Sequence, residues 1–331
     1  MADVELRNVT KSFDKDIGLE KVSLKINDGE FVVLLGPTGA GKTTTLRLIA
    51  GLEKPDNGEI WIDGRNVVND SPAQRDVAMV FQQYSLYPHL TVRENLEFPL
   101  KSPILKTPVD VMKRKVNDVA EVLRISHKLD NKATELSGGE MQRVSMGRAL
   151  VRNPRIYLMD EPLSSLDAKL RSELRIELKR IQAELGATIL YVTHDQIEAM
   201  TMATQIGVLN NGRLEQFGTP REIYENPSSQ YVATRLGSPR INTLPVSIFG
   251  GAPAGSALIG LRPEHIHIGS GQDCQVTRIE HLGDQIRLHL RLAGHNIITL
   301  TDTHTSIKVG DVIAIQPNNP IFFDANGSRV V

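Results

Sequence analysis

The sequence of 331 residues holds a single cysteine, Cys274, and only 5% aromatic residues. One cysteine allows no intrachain disulfide, so no covalent staple supports the fold and an oxidising compartment is not expected. Neither sign of charge is in excess: 38 Lys and Arg stand against 39 Asp and Glu, a formal net charge of −1. A polyanion-coating chain carries a marked basic surplus, so nucleic acid is not expected as a partner. No stretch approaches the ~20 apolar residues of a membrane-spanning helix, so any membrane role must come through partners. Met1-Ala2-Asp3-Val4 shows no basic segment followed by an apolar one; secretion is not expected, and a cytosolic protein is. Internal repeats and low-complexity tracts are missing too. With 40% hydrophobic and 23% charged residues, this is a globular composition, long enough for about two domains with cores of their own.

Period and punctuation place the elements. Val32-Val33-Leu34-Leu35 is a short apolar run that stops at a Gly/Pro/Thr cluster, followed by helical spacing from Thr44 to Ala50, which reads strand, loop, helix. Ile156 to Met159 and Thr188 to Val192 lack polar alternation, as strands of a parallel sheet buried on both faces do. Between them Leu170, Leu174, Leu178, Ile181 and Leu185 form one helical stripe, so βαβ units and an α/β class are expected. From about 91 to 150 the pattern is mostly helical, with Val116, Val119, Val122 and Leu123 on one face, a helical subdomain inserted into the core. After Gly237-Ser238-Pro239 the texture changes. Ile286, Leu288, Leu290 and Leu292 alternate with Arg287, His289 and Arg291, and turn residues recur, the pattern of an all-β barrel or sandwich. The expected domains are 1–237 and 238–331.

Gly36-Pro37-Thr38-Gly39-Ala40-Gly41-Lys42-Thr43 fits G-x-x-x-x-G-K-[ST], between an apolar strand and a helix. Such glycines let backbone N–H groups turn around phosphate oxygens, the helix start adds its positive end, Lys42 reaches the β/γ-phosphates and the Thr43 hydroxyl can ligate Mg²⁺. Thr44, beside it, is counted with this nucleotide-binding set. Asp160 and Glu161 end a buried strand, at the edge where ligands bind in open α/β sheets; Asp160 suits Mg²⁺ through water and Glu161 a general base. Leu136-Ser137-Gly138-Gly139-Glu140 opens a helix, with Ser137 as N-cap, and reads as a capping box or an anion site. His265 and His267 would share a face of a strand, but no Cys or carboxylate completes a tetrahedral set, and they are taken as structural. The β-domain has only Phe249, Phe322 and Phe323 as aromatics, too few for base stacking.

Together these residues resemble the nucleotide-binding subunits of ABC transporters. The P-loop, Gln82, Leu136-Ser137-Gly138-Gly139, Asp160-Glu161, Ser165-Leu166-Asp167 and His194 follow the family's order and approximate spacing. Ala78 to Leu90, Thr193-His194-Asp195-Gln196, Glu198 to Thr201 and Gly260-Leu261-Arg262-Pro263-Glu264 look like the maltose-type carbohydrate importers, whose ATPase carries a C-terminal β-barrel regulatory domain of OB/TOBE type. The resemblance implies a homodimer binding ATP and Mg²⁺ in two composite sites. Phe13 would stack the adenine, Gln82 would link Mg²⁺ and the attacking water to the membrane subunits, Asp167 would cross the dimer interface and His194 would contact the γ-phosphate. It further implies two permease subunits and an extracytoplasmic solute-binding protein as partners, a peripheral position on the cytoplasmic face of the inner membrane, and import of a sugar, polyol, glycerol phosphate or sulfonated sugar. Glu140 departs from the family's usual Gln; it could weaken the partner's nucleotide site or cap its own helix. The alternative is a soluble ABC-type ATPase acting on nucleic acid or ribosomes, but such proteins usually fuse two cassettes or insert long coiled coils, and this chain has one cassette and no heptads. Two expectations concern single segments. Gly139→Asp should leave nucleotide binding by one chain largely intact but abolish ATP-dependent dimerisation, and Tyr84, Leu86, Tyr87 and Leu90 should be partly exposed and form an apolar docking patch rather than core.

Overall fold

The computed structural model describes residues 2–14, 16–103 and 105–330; Met1 and Val331, the outer limits of the expected domains, lie outside them. Two compact units divide the chain, Met1–Pro220 and Arg221–Val331. In chain order the first runs β1 (Val4–Phe13), β2 (Asp16–Ile26), β3 (Phe31–Leu35), α1 (Lys42–Ala50), β4 (Asn57–Ile62), β5 (Arg65–Asn66), β6 (Val77–Val80), α2 (Val92–Glu97), α3 (Val109–Val122), α4 (Gly138–Leu150), β7 (Ile156–Asp160), α5 (Ala168–Leu185), β8 (Thr188–Thr193), α6 (Gln196–Met202), β9 (Gln205–Asn210) and β10 (Arg213–Gly218).

The apolar runs become the central strands of a six-stranded sheet, order β10-β9-β3-β8-β7-β6. Every residue of β3 and β8 is buried, so these strands need cover on both faces, which explains their lack of alternation. A second sheet, antiparallel and four-stranded with order β2-β1-β4-β5, packs across α1. Leu46, Leu48 and Ile49 of α1 share one core with Leu6, Val9 and Leu24 of the small sheet and with Leu34, Leu158 and Val192 of the large one. The helix that starts at the P-loop is thus held from two sides. On α5, Leu174, Leu178 and Ile181 are buried, whereas Leu185 at the end of the expected stripe is 47% exposed. Among the described residues the segment 91–150 is mostly helical, through α2, α3 and α4, and Val116 and Leu123 are buried in it.

The second unit adds the end of α7 (Pro220–Glu225), α8 (Gln230–Arg235) and strands β11 (Asn242–Pro245), β12 (Leu258–Leu261), β13 (Ile266–His281), β14 (Ile286–Leu292), β15 (His295–Thr301), β16 (Val312–Pro317), β17 (Ile321–Phe323) and β18 (Arg329–Val330). They form two four-stranded sheets, β11-β12-β17-β18 and β15-β14-β13-β16. On β14 the isoleucine and leucines are buried and the alternating residues are not, as period two requires. Two details differ from expectation. The linker expected at Gly237-Ser238-Pro239 lies inside the second unit, because α8 packs with the β-strands. His265 ends a short 3-10 turn begun by Pro263, and only His267 is in a strand, so the two do not share a strand face.

Candidate active site

Strands β3, β8, β7 and β6 are neighbours and parallel, with Leu35 beside Thr193, Val192 beside Asp160 and Met159 beside Val80. Parallel neighbours deliver their C-terminal ends to one edge, so residues more than a hundred positions apart meet there. The P-loop leaves β3, His194 leaves β8, Asp160 and Glu161 end β7, and Gln82 follows β6.

Lys42 is 5% exposed, and its ammonium donates to the carbonyls of Gly36 at 2.9 Å and Pro37 at 3.0 Å. Glu161 Oε1 lies 3.4 Å from the same nitrogen, while its Oε2 lies 3.0 Å from His194 Nδ1. Glu161 has φ of 43°, a left-handed conformation that a non-glycine residue keeps only where its surroundings impose it. Its N–H is held by the carbonyl of Val192 at 3.1 Å, which turns the carboxylate toward Lys42 and His194. The Thr43 hydroxyl donates to Asp160 Oδ1 at 3.0 Å. Burial pushes the Asp160 carboxyl above its ordinary range; the Thr43 hydrogen bond opposes this and the neighbouring charge of Glu161 adds to it. Gly41 must be glycine: its φ is 100°, and a Cβ there would sit 2.5 Å from the Gly18 carbonyl.

Gln82 is exposed and reaches Ser164, Nε2 to Oγ 3.4 Å; the Ser164 hydroxyl in turn donates to the carbonyl of Glu161 at 2.9 Å. Phe13, at the end of β1, is 39% exposed with the Lys11 ammonium 5.2 Å from its ring centre; it is not a core residue. Asp167 is exposed and caps α5, accepting from the N–H of Leu170 at 3.0 Å.

Ser137 to Glu140 form a reciprocal cap on α4. Glu140 Oε2 accepts from both the backbone N–H and the hydroxyl of Ser137, each at 2.8 Å, and Oε1 pairs with Lys128 at 3.2 Å. These bonds, the Ser137 backbone N–H foremost, hold the Glu140 carboxyl below its ordinary range. Gly139 is buried against α5: a Cβ there would lie 2.1 Å from Leu170 Cδ2. A side chain at Gly139 therefore displaces Leu170 of its own chain, so a loss of dimerisation in Gly139→Asp would not by itself report a partner's phosphate.

Sequence reasoning did not find Ser164, whose partner Gln82 is remote in the chain, or Lys128, which meets Glu140 across the turn that precedes α4. It also missed Glu198, buried at 3% exposure and accepting from the hydroxyls of Tyr191 at 2.8 Å and Thr193 at 2.7 Å beneath His194. Burial pushes the Glu198 carboxyl up, and these two hydrogen bonds oppose it.

A glycine-rich loop between a buried parallel strand and a helix, facing two carboxylates and a histidine, defines a P-loop nucleotide-hydrolysing protein. Comparison with known proteins makes this specific. The ABC transporter family matches residues 19–164 and the TOBE domain residues 259–319. The sn-glycerol-3-phosphate import ATP-binding protein UgpC of Psychromonas ingrahamii is 44% identical over 358 residues, covering 99% of this chain and 95% of that protein. Its counterpart from Brucella abortus biovar 1 is 46% identical over 351 residues, covering 100% of this chain and 99% of that protein. Among solved structures, a dimeric bacterial ABC transporter cassette is similar at a TM-score of 0.60 and 33% identity, covering 66% of this chain and 99% of that one. The chain belongs to the ATP-binding subunits of ABC import systems. It is an ATPase whose hydrolysis powers transport.

Proposed function

We propose that two copies of this chain bind two ATP molecules between the P-loop of one and Ser137-Gly138-Gly139 of the other, and that hydrolysis drives import of a glycerol phosphate through two permease subunits. The observation that carries the reading is the meeting of Lys42, Thr43, Asp160, Glu161 and His194 at one sheet edge. Lys42 and the N-terminus of α1 hold the phosphate oxygens, exchanging the loop carbonyls for charge-assisted bonds. Thr43 and Asp160, with Gln82, hold Mg²⁺. An oxygen-only donor set suits this hard cation, and a buried carboxyl pushed up by burial is one that a cation would stabilise as the anion. When bound, the cation neutralises charge building on the phosphoryl oxygens. Glu161 takes a proton from the attacking water as the bond to the ADP oxygen breaks, and His194, hydrogen-bonded to the same carboxylate, fixes its direction.

The solute is inferred from the relatives' names, since a cassette need not touch what is carried. The membrane partner docks beside Gln82, in a groove of about 260 Å³ lined by Phe81, Tyr84, Phe98 and Arg148 among others. Phe81 and Phe98 are 40% and 47% exposed. Tyr87, by contrast, is committed within the chain: its ring stacks on Phe98 at 4.3 Å, Arg148 lies over it at 4.7 Å, and buried Asn95 holds its backbone on both sides. Phe81 and Phe98 are therefore the better docking probes. No helix among the described residues is long and apolar enough to cross a membrane, which fits a peripheral subunit on the cytoplasmic face, reached through its permeases.

The test reconstitutes the chain with the permease subunits and the extracytoplasmic binding protein in liposomes. ATP hydrolysis should rise with sn-glycerol 3-phosphate and not with maltose, and Phe81→Ser with Phe98→Ser should abolish assembly while the chain still melts cooperatively and binds ATP. Stimulation by maltose alone overturns the solute; intact assembly of the double variant overturns the groove.

A further inference from the structure

Arg171, on the first turn of α5, touches neither the P-loop nor its carboxylates, yet it joins two loops of the site. Its Nη2 donates to the carbonyl of Leu166 at 2.8 Å, and its backbone N–H to that of Asp167 at 2.9 Å. The loop Ser165-Leu166-Asp167 is thus attached to Arg171 twice. Its Nη1 lies 3.5 Å from Asp195 Oδ2. Asp195 directly follows His194, caps α6 through Oδ1 by accepting from Ile197 N–H at 2.7 Å, and donates its own N–H to the Thr193 hydroxyl at 3.0 Å. The Nε of Arg171 is buried without a hydrogen-bond partner among the described residues. The guanidinium is therefore fixed through its terminal nitrogens alone, one on each loop.

We infer that Arg171 is a positioning residue that makes the His194 loop and the Ser165-Leu166-Asp167 loop move as one, so that the state of one ATP site is passed to the other. The inference rests on the composite-site reading, in which His194 faces the nucleotide of its own chain and Asp167 crosses to the partner. A displacement of His194 pulls on Asp195, Asp195 on the guanidinium, and the guanidinium on the Leu166 carbonyl beside Asp167. Only a planar fork spans both acceptors; a lysine ammonium keeps the charge but reaches one at a time.

The test measures ATP hydrolysis by the purified full-length chain against ATP concentration, with thermal melting as the control for folding. Wild type should give a sigmoidal curve; a hyperbolic one overturns the composite-site reading without recourse to any variant, and the inference with it. Arg171→Ala should bring the Hill coefficient to ~1 and lower kcat by ~10- to 100-fold, the size of a misplaced catalytic group, while ATP affinity and the melting temperature stay near wild type. Arg171→Lys should not restore the sigmoid. Asp195→Asn, which keeps the α6 cap, should reduce sigmoidicity alone and add little to Arg171→Ala, since both break one tie. Wild-type sigmoidicity in Arg171→Ala, or losses that follow the melting temperature and add up across the two substitutions, would overturn the inference. If Arg171→Ala does not fold, Arg171→Lys and Asp195→Asn each break one end and decide the matter.

Discussion

Glu140 stands where the family resemblance implies Gln, and its surroundings say what a carboxylate does there. A glutamine could accept from the Ser137 N–H through its carbonyl oxygen, but it could not pair with Lys128. The carboxylate does both, and its Oε2 also accepts a hydrogen bond from the Ser137 hydroxyl, a donor that in the proposed composite site would face a partner's phosphate. Glu140→Gln should therefore lose little stability, ~0–1 kcal/mol for a half-exposed pair, and should strengthen ATP-driven dimerisation by removing a negative charge from the closing face. Size-exclusion chromatography with ATP in a Glu161→Gln background checks it; weaker dimerisation would contradict the account. The sign with pH follows from the lowered pKa of Glu140. Its stabilisation is complete above the ordinary value of 4.5 and is lost as pH falls through the lower folded value. The melting-temperature difference between wild type and Glu140→Gln should be constant above pH 4.5 and shrink below it. The capping box was legible in Ser137 and Glu140 because it is local. The contact of Gly139 with Leu170 was not, because no spacing in the sequence relates two residues that meet only when α4 and α5 pack.

At the scale of elements, the P-loop helix is the piece on which the site depends, and its far end is held by a residue from another segment. Arg75 is 2% exposed and donates to the carbonyl of Leu48 at 2.7 Å, which also accepts from the Gly51 N–H at 3.2 Å, to that of Ile49 at 3.0 Å, both at the C-terminal end of α1, and to those of Asp70 and Val68. Arg75→Met removes these bonds and leaves the Ile49 carbonyl without its guanidinium donor, at a cost of ~2–3 kcal/mol, which for a unit of this size lowers the melting temperature by about 5–10 °C. Weaker ATP binding should accompany the loss, since α1 carries Lys42 and Thr43. Calorimetry of the variant checks both; a melting temperature within about 2 °C of wild type would show that water or a neighbour replaces the guanidinium. The strands that frame the site were readable because a doubly buried strand writes itself as an unbroken apolar run, as in β3 and β8. Arg75 was not, since a buried guanidinium serving main-chain carbonyls looks in sequence like any surface arginine.

At the scale of the whole molecule, the strand-loop-helix around Gly36 to Thr43 and the carboxylates that end β7 were legible from local pattern, and the limits of the unit that carries them were not. The change of texture after Gly237 marks where strands begin, but the second unit starts at Arg221 because Arg262 reaches back into the helices. That side chain is 2% exposed, donates to the carbonyls of Ala233, Leu236 and Tyr224, and stacks on the Tyr224 ring at 3.8 Å. Periodicity cannot report such a clasp. The proposed function turns on Glu161, held between Lys42 and His194. The most direct measurement is ATP binding and turnover by the purified full-length Glu161→Gln chain. The amide keeps the shape but cannot take the proton, so ATP affinity should be retained, turnover should fall by ~10²–10⁴, the usual size of a lost general base, and ATP should trap the dimer on a sizing column. Turnover near wild type would remove Glu161 as the base and contradict the account.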